Sequence, residues 1–164
     1  MNLYHLSSMN MNGKTIFPRV PENFFTKNGY EDSKTKRVCF STSIDGCLRG
    51  MSQNLTNKKF YVHIPDPSYK FNVYTPTTDE VPDSEITGEV WITKPVKLKC
   101  ISLIEVIGDT GEDGIKFTYG DKEAELYDWN WREVNTRYNK IFEKLHEKVS
   151  SGEITLEFAT EVCN

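Results

Sequence analysis

Two carboxylates four residues apart, Glu85 and Glu89, stand at the mouth of two apolar runs, residues 90–92 and 96–106. Val90, Trp91 and Ile92 have strand character, Pro95 interrupts the ladder, and the following run is rich in β-branched residues. The sequence therefore predicts a strand, a kink and a second strand, with Glu89 opening the first. A carboxylate held by such a rigid element can project from the sheet edge into a cleft, as a catalytic or ribose-binding acid requires. An exposed Glu at a strand end is the plainer alternative, and the choice rests on what could stand beside it. The candidates are His5, near the end of a short opening strand, and the polar residues Ser41, Thr42 and Ser43, which could also be no more than turn and cap residues. Cys39, in an apolar context, reads as a small core residue rather than a nucleophile.

The elements that would position these residues are legible from periodicity. Residues 3–7 predict a first strand, and the polar stretch 22–36, with Phe24, Phe25 and Tyr30, predicts a long surface loop of the kind that is often functional. Residues 37–43 predict a buried strand and then a small polar turn, followed by a short helix over 44–51 with Ser43 as its cap. In 60–64, Phe60, Val62 and Ile64 alternate with Tyr61 and His63, the signature of a strand with one covered face. Residues 70–74 are a further strand candidate, and 75–84, with Pro76 and Pro82, predict a connecting loop. Residues 108–114 predict a turn and 115–119 a strand. Trp129 and Trp131 form an aromatic patch before a helix over 132–149, whose stripe is Val134, Tyr138, Ile141, Phe142, Leu145 and Val149. Gly152 closes that helix, and 153–164 fit either a short helix or a strand.

At 164 residues the chain is most economically one domain over 1–164, with 132–164 as a C-terminal helical segment. It is 37% hydrophobic and 27% charged and has no apolar run near the roughly 18 residues that span a bilayer. No membrane partner is expected. A net charge of −4 and a pI of 5.5 argue against a general grip on a phosphate backbone, so nucleic acid is not the expected partner. Cysteines 39, 47, 100 and 163 lack CxxC spacing, which favours free thiols over disulfides or zinc, and no metal is expected. The opening residues lack a basic region followed by an apolar one, so a cytoplasmic location is expected.

Three widely spaced pieces, Tyr4-His5-Leu6-Ser7, Cys39-Phe40-Ser41 and Glu89-Val90-Trp91-Ile92, follow the motif order of the ADP-ribosyltransferase superfamily. The chain resembles its His-Tyr-Glu-like branch, in particular the small phage-encoded or bacterial members, over roughly its first two thirds. Cys39 stands where the family's Tyr would be. Ser41-Thr42-Ser43 is similar to the middle motif of a related branch with Arg, Ser-Thr-Ser and Glu-x-Glu. That branch begins with Arg rather than His5, and its paired Glu residues are closer than Glu85 and Glu89.

The resemblance implies an α+β fold with a split, twisted, mixed or antiparallel sheet, a central cleft and flanking helices. It implies transfer of ADP-ribose from NAD to a macromolecular acceptor, most simply a protein side chain, by a phage-type modifier of a host or defence protein. Glu89 would stabilise the positive charge that develops on the ribose as the nicotinamide bond breaks. His5 would donate to a ribose hydroxyl of the adenosine half or to phosphate, and the backbone beside it, at Leu6 and Ser7, would hold the nicotinamide amide. Cys39, Phe40 and Ser41 would line the site, with Phe40 or Tyr61 stacking on the ring. One rival is a binding protein with weak or lost chemistry that inhibits a partner by occlusion. Another, a relative acting on an RNA 2′-phosphate, would need a basic patch that the chain lacks.

Overall fold

The computed structural model describes residues 1–51, 55–109, 112–119, 122–129 and 137–154. Its elements run β1 (His5–Ser7), β2 (Thr15–Ile16), α1 (Phe24–Lys27), β3 (Val38–Ser41), α2 (Ile44–Arg49), β4 (Lys59–Pro65), α3 (Ser84–Thr87), β5 (Glu89–Ile92), β6 (Val96–Asp109), β7 (Glu112–Tyr119), β8 (Lys122–Trp129) and α4 (Arg137–Ser150). The architecture is α+β. A six-stranded sheet in the order β1-β4-β6-β7-β8, with β2 on β6, stands beside a two-stranded sheet of β3 and β5, and every pairing among the described residues is antiparallel. The backbones of the two sheets are joined by one isolated bridge, Tyr4 to Ser41. No helix among the described residues is long and apolar enough to cross a membrane.

Strict alternation along β6 would send Val96, Leu98, Ile104 and Val106 to the same face. They do not share one. The register against β4 shifts between Val62, opposite Ser102, and His63, opposite Cys100, so Ile101 is the extra residue of a bulge. Ile101, Ile104 and Val106 therefore join the core made by Tyr4, Leu6, Ile44, Leu48 and the α4 residues Phe142, Leu145 and Val149. Val96 and Leu98 join a second core with Leu3, Val38, Phe40, Val90 and Ile92. The predicted α4 stripe thus meets the sheet through Phe142, Leu145 and Val149, with Ile141 packed alongside. Val134 and Trp131 lie outside the described residues, as does all of 155–164.

Several expectations need correcting. Residues 22–36 are not wholly loop, because Asn23 accepts from the Thr26 amide at 2.8 Å and nucleates the single turn α1. Residues 70–74 form no strand, only the bridge Tyr74 to Trp91. The stretch 75–84 ends in the start of the turn α3, which Gly88 closes in the left-handed conformation at φ 60°. The turn over 108–114 is shorter than expected, since β6 and β7 pair down to Asp109 and Glu112. Residues 122–129 are a strand paired with β7, with Trp129 at its end.

His63 was expected on the polar face of its strand, yet it is fully buried, and its Nε2 accepts from the Met11 amide at 2.9 Å. Burial first, and the neighbouring His5 second, pull its pKa down to about 4. An unfolded imidazole titrates near 6.5. Below that value the unfolded chain takes up a proton that the native chain refuses, so the stability at stake is complete above pH 6.5 and is lost as pH falls towards 4. The loss is on the order of 3 kcal/mol. His63→Gln keeps an acceptor for Met11 and removes the titration, so its denaturation free energy should fall less steeply than the wild type's between pH 7 and 4. Parallel curves would show that His63 is not the group responsible.

Candidate functional site

The backbones entering β1 and ending β3 meet in a single bridge among the described residues: the Tyr4 amide donates to Ser41 O at 2.8 Å and the Ser41 amide to Tyr4 O at 2.9 Å. Past that bridge β1 continues along β4 and β3 along β5. A cavity of about 190 Å3 lies at the divergence, lined among others by His5, Leu6, Cys39, Phe40, Ser41 and Glu89. A second cavity of about 550 Å3 shares His5 and Cys39 with it and adds Ser7, Phe17 and Arg19. The structure therefore brings His5 and Glu89 to one cleft with Leu6, Cys39, Phe40 and Ser41, and places Ser7 in the adjoining one. Tyr61 lines neither. It stands opposite Ser7, on the same face as His5 and His63, with its ring 6.4 Å from that of His63.

His5 is fixed by the sheet that splits around it. Its Nδ1 lies 2.9 Å from Cys39 O; a carbonyl can only accept, so Nδ1 carries the proton and donates. Burial lowers the pKa and Arg19 lowers it further, against the raising effect of the Cys39 bond, so the neutral form is favoured. The other ring nitrogen, Nε2, is then an acceptor. The expected role as a donor to a hydroxyl or phosphate turns round: Nε2 can accept from a hydroxyl, and a fully ionised phosphate has no proton to offer it. Phe40 also departs from expectation. It is 3% exposed, belongs to the Leu3 core and meets the His5 ring at 5.6 Å, so it braces His5 instead of presenting a face to a ligand.

Glu89 stands opposite Ser41 and is half-buried. Its Oε1 accepts from Trp91 Nε1 at 2.6 Å. Trp91 is completely buried, and the Arg37 guanidinium stacks on its ring at 4.2 Å from the centroid. Arg37 is in turn paired with Asp32 at 3.1 Å and donates to Asp32 O and Thr35 O. One carboxylate oxygen is thus oriented by an indole that a buried cation holds rigid. Trp91 and Arg37 were missed by sequence reasoning. Period two was the signal available, since it puts Glu89 and Trp91 on one face of β5 and Arg37 and Cys39 on one face of the run entering β3.

The turn before Glu89 is strapped to β3. Ser41 Oγ donates to Thr87 O at 2.6 Å and accepts from the Ser43 amide at 3.2 Å, while the Thr42 amide donates to Gly88 O at 3.1 Å. Ser43 caps α2 as expected, its side chain accepting from the Gly46 amide at 2.9 Å. The Ser41 hydroxyl is therefore engaged in holding the site rather than aimed at a ligand. Cys39 is no nucleophile: burial first and the Glu89 charge second push its thiol up to about 12. Cys39, Cys47 and Cys100 are free thiols, and Cys163 lies outside the described residues. Glu85 is exposed on α3 and lines neither cavity. Compared with protein-family models, curated proteins and solved structures, the chain matches none.

Proposed function

We propose that the chain transfers ADP-ribose from NAD to a macromolecular acceptor, with a protein side chain as the simplest. One observation carries this reading: His5 and Glu89, far apart in sequence, line a single cleft at the split between two sheets, next to a larger cavity reached across His5. That arrangement suits a dinucleotide, and the two cavities together are of a size usual for small-ligand sites, about 300–1,000 Å3. The nicotinamide ribose would sit by Glu89, whose charge stabilises the oxocarbenium-like sugar. His5 Nε2 would accept from a ribose hydroxyl of the adenosine half. Arg19, exposed on the wall of the larger cavity, would meet the diphosphate. The split, twisted sheet of the ADP-ribosyltransferase type is part of the same proposal.

NAD should raise the thermal midpoint, because a ligand of the native state stabilises it. His5→Ala removes both the acceptor and a wall of each cavity, whereas Tyr61→Ala touches neither. At millimolar NAD, a roughly tenfold weaker Kd takes about 4 °C off the shift in a chain of this size. Each variant is measured against its own ligand-free midpoint. Equal shifts in the two variants, or none in the wild type, would remove the dinucleotide site.

A further inference from the structure

We infer that Trp91 is a positioning residue of the transfer: its indole N–H holds Oε1 of Glu89, so that the carboxylate meets the ribose with its other oxygen, Oε2. The inference rests on the cleft being the NAD site. Trp91 lines neither cavity of that site, so whatever it does to the reaction it does through Glu89.

A glutamate side chain turns about several torsions, and an untethered carboxylate spreads its charge over many positions. The bond of 2.6 Å from Trp91 Nε1 removes that freedom at one end. The donor itself is fixed. Trp91 is completely buried, exchanges two backbone hydrogen bonds with Tyr74, at 2.7 and 2.9 Å, and has the Tyr74 ring 5.4 Å away. The Arg37 guanidinium on the indole face draws on the ring's electrons and makes the N–H a stronger donor. Three hydrogen bonds of Arg37 leave from Nη1, to Asp32 Oδ1, Asp32 O and Thr35 O, while Nε and Nη2 are buried with no hydrogen-bond partner among the described residues. Buried N–H groups left unpaired are destabilising, and an aliphatic side chain would pack on the indole without that penalty. The charge over Trp91 is thus kept against the interest of stability, as happens where a group serves a reaction. The Cys39 thiol also meets the carboxylate, but a thiol is a weak donor and the indole decides the orientation. A buried indole needs an acceptor for its own sake as well, so the two roles are separated by kinetics and not by stability.

Trp91→Phe removes the donor but also leaves a void in a packed site. The decisive variant therefore replaces Trp91 by β-(3-benzothienyl)alanine, which has the shape of tryptophan with a sulfur where the N–H was. Nicotinamide release from NAD should then fall in kcat by roughly tenfold to a hundredfold, the scale of one lost hydrogen bond to a charged group. KM for NAD and the NAD-induced thermal shift should stay close to the wild type's, because the charge and the walls of the cleft remain. The indole signal that this variant lacks in the 15N spectrum of the ligand-free protein is that of Trp91, and Glu89→Gln should move it upfield as the charged acceptor becomes neutral. An unchanged kcat, a raised KM with kcat intact, or an indole signal indifferent to Glu89→Gln each overturns the assignment and leaves the cleft's NAD role standing. With neither nicotinamide release nor an NAD-dependent thermal shift in the wild type, the cleft reading fails and this one fails with it, whatever the indole signal does.

Discussion

Glu89→Gln is expected to lower NAD-dependent labelling by roughly two orders of magnitude or more while leaving the NAD-induced thermal shift almost intact. The amide has the shape of the carboxylate, and its carbonyl can still accept from Trp91 Nε1, where Oε1 does so now at 2.6 Å. What disappears is the negative charge. A charge that matters only once the ribose becomes cationic is missed in the transition state and not in the ground state, so kcat falls and binding survives. Glu85→Gln is the companion variant: exposed on α3 and outside the cleft, it should label at close to the wild-type rate. Undiminished labelling by Glu89→Gln beside a dead Glu85→Gln would assign the chemistry to the wrong carboxylate. If the chain instead works by occluding a partner, Glu89→Gln should keep its biological effect and surface substitutions elsewhere should abolish it.

The second large effect is structural. Gly46→Ala should cost about 2–3 kcal/mol and lower the midpoint by about 5–10 °C. A Cβ on Gly46 would run into the carbonyl of Thr87 and the hydroxyl of Ser41, the two ends of the strap that holds the turn before Glu89. A backbone carbonyl has no alternative rotamer, so the helix α2 or the turn must move. Gly50→Ala, at the C-cap of the same helix, is the control. Its Cβ would make only ordinary contacts, nearest 3.5 Å, and its φ of −69° suits any residue, so the midpoint should stay within about 2 °C. A midpoint for Gly46→Ala equal to that of Gly50→Ala would mean that the strap is looser than the geometry states.

Much of the cleft is legible before any coordinates because its members sit where strand patterns begin or end. Glu89 follows directly from the apolar run that starts at Val90, and Ser43 from the helix that it caps. Other features depend on partners that periodicity does not see. His63 looks like the solvent side of β4 because it alternates with Val62 and Ile64, but the bulge at Ile101 turns Cys100 and Leu98 onto that face and Met11 covers it. The strand over 122–129 carries Lys, Glu and Asp that disfavour sheet on their own, and pairing with β7 overrides them. The proton on His5 could not be read at all, since it is set by one carbonyl on a strand distant in sequence.

The strap has a consequence for how such a protein can change. Asp32 donates its amide to Glu80 O at 2.8 Å, so the 22–36 stretch is stitched to the segment that leads into α3. Ser41 in turn clasps Thr87 at the far end of that segment, two residues before Glu89. The two surface segments are therefore coupled to each other, while the clasp fixes the backbone that leads into Glu89. Exchanging one alone breaks the stitch and misaligns its neighbour. Exchanged together, upstream of Thr87 and with Asp32 kept to hold Arg37 over Trp91, they form a cassette whose surface can be rewritten while Glu89 stays in register with Ser41.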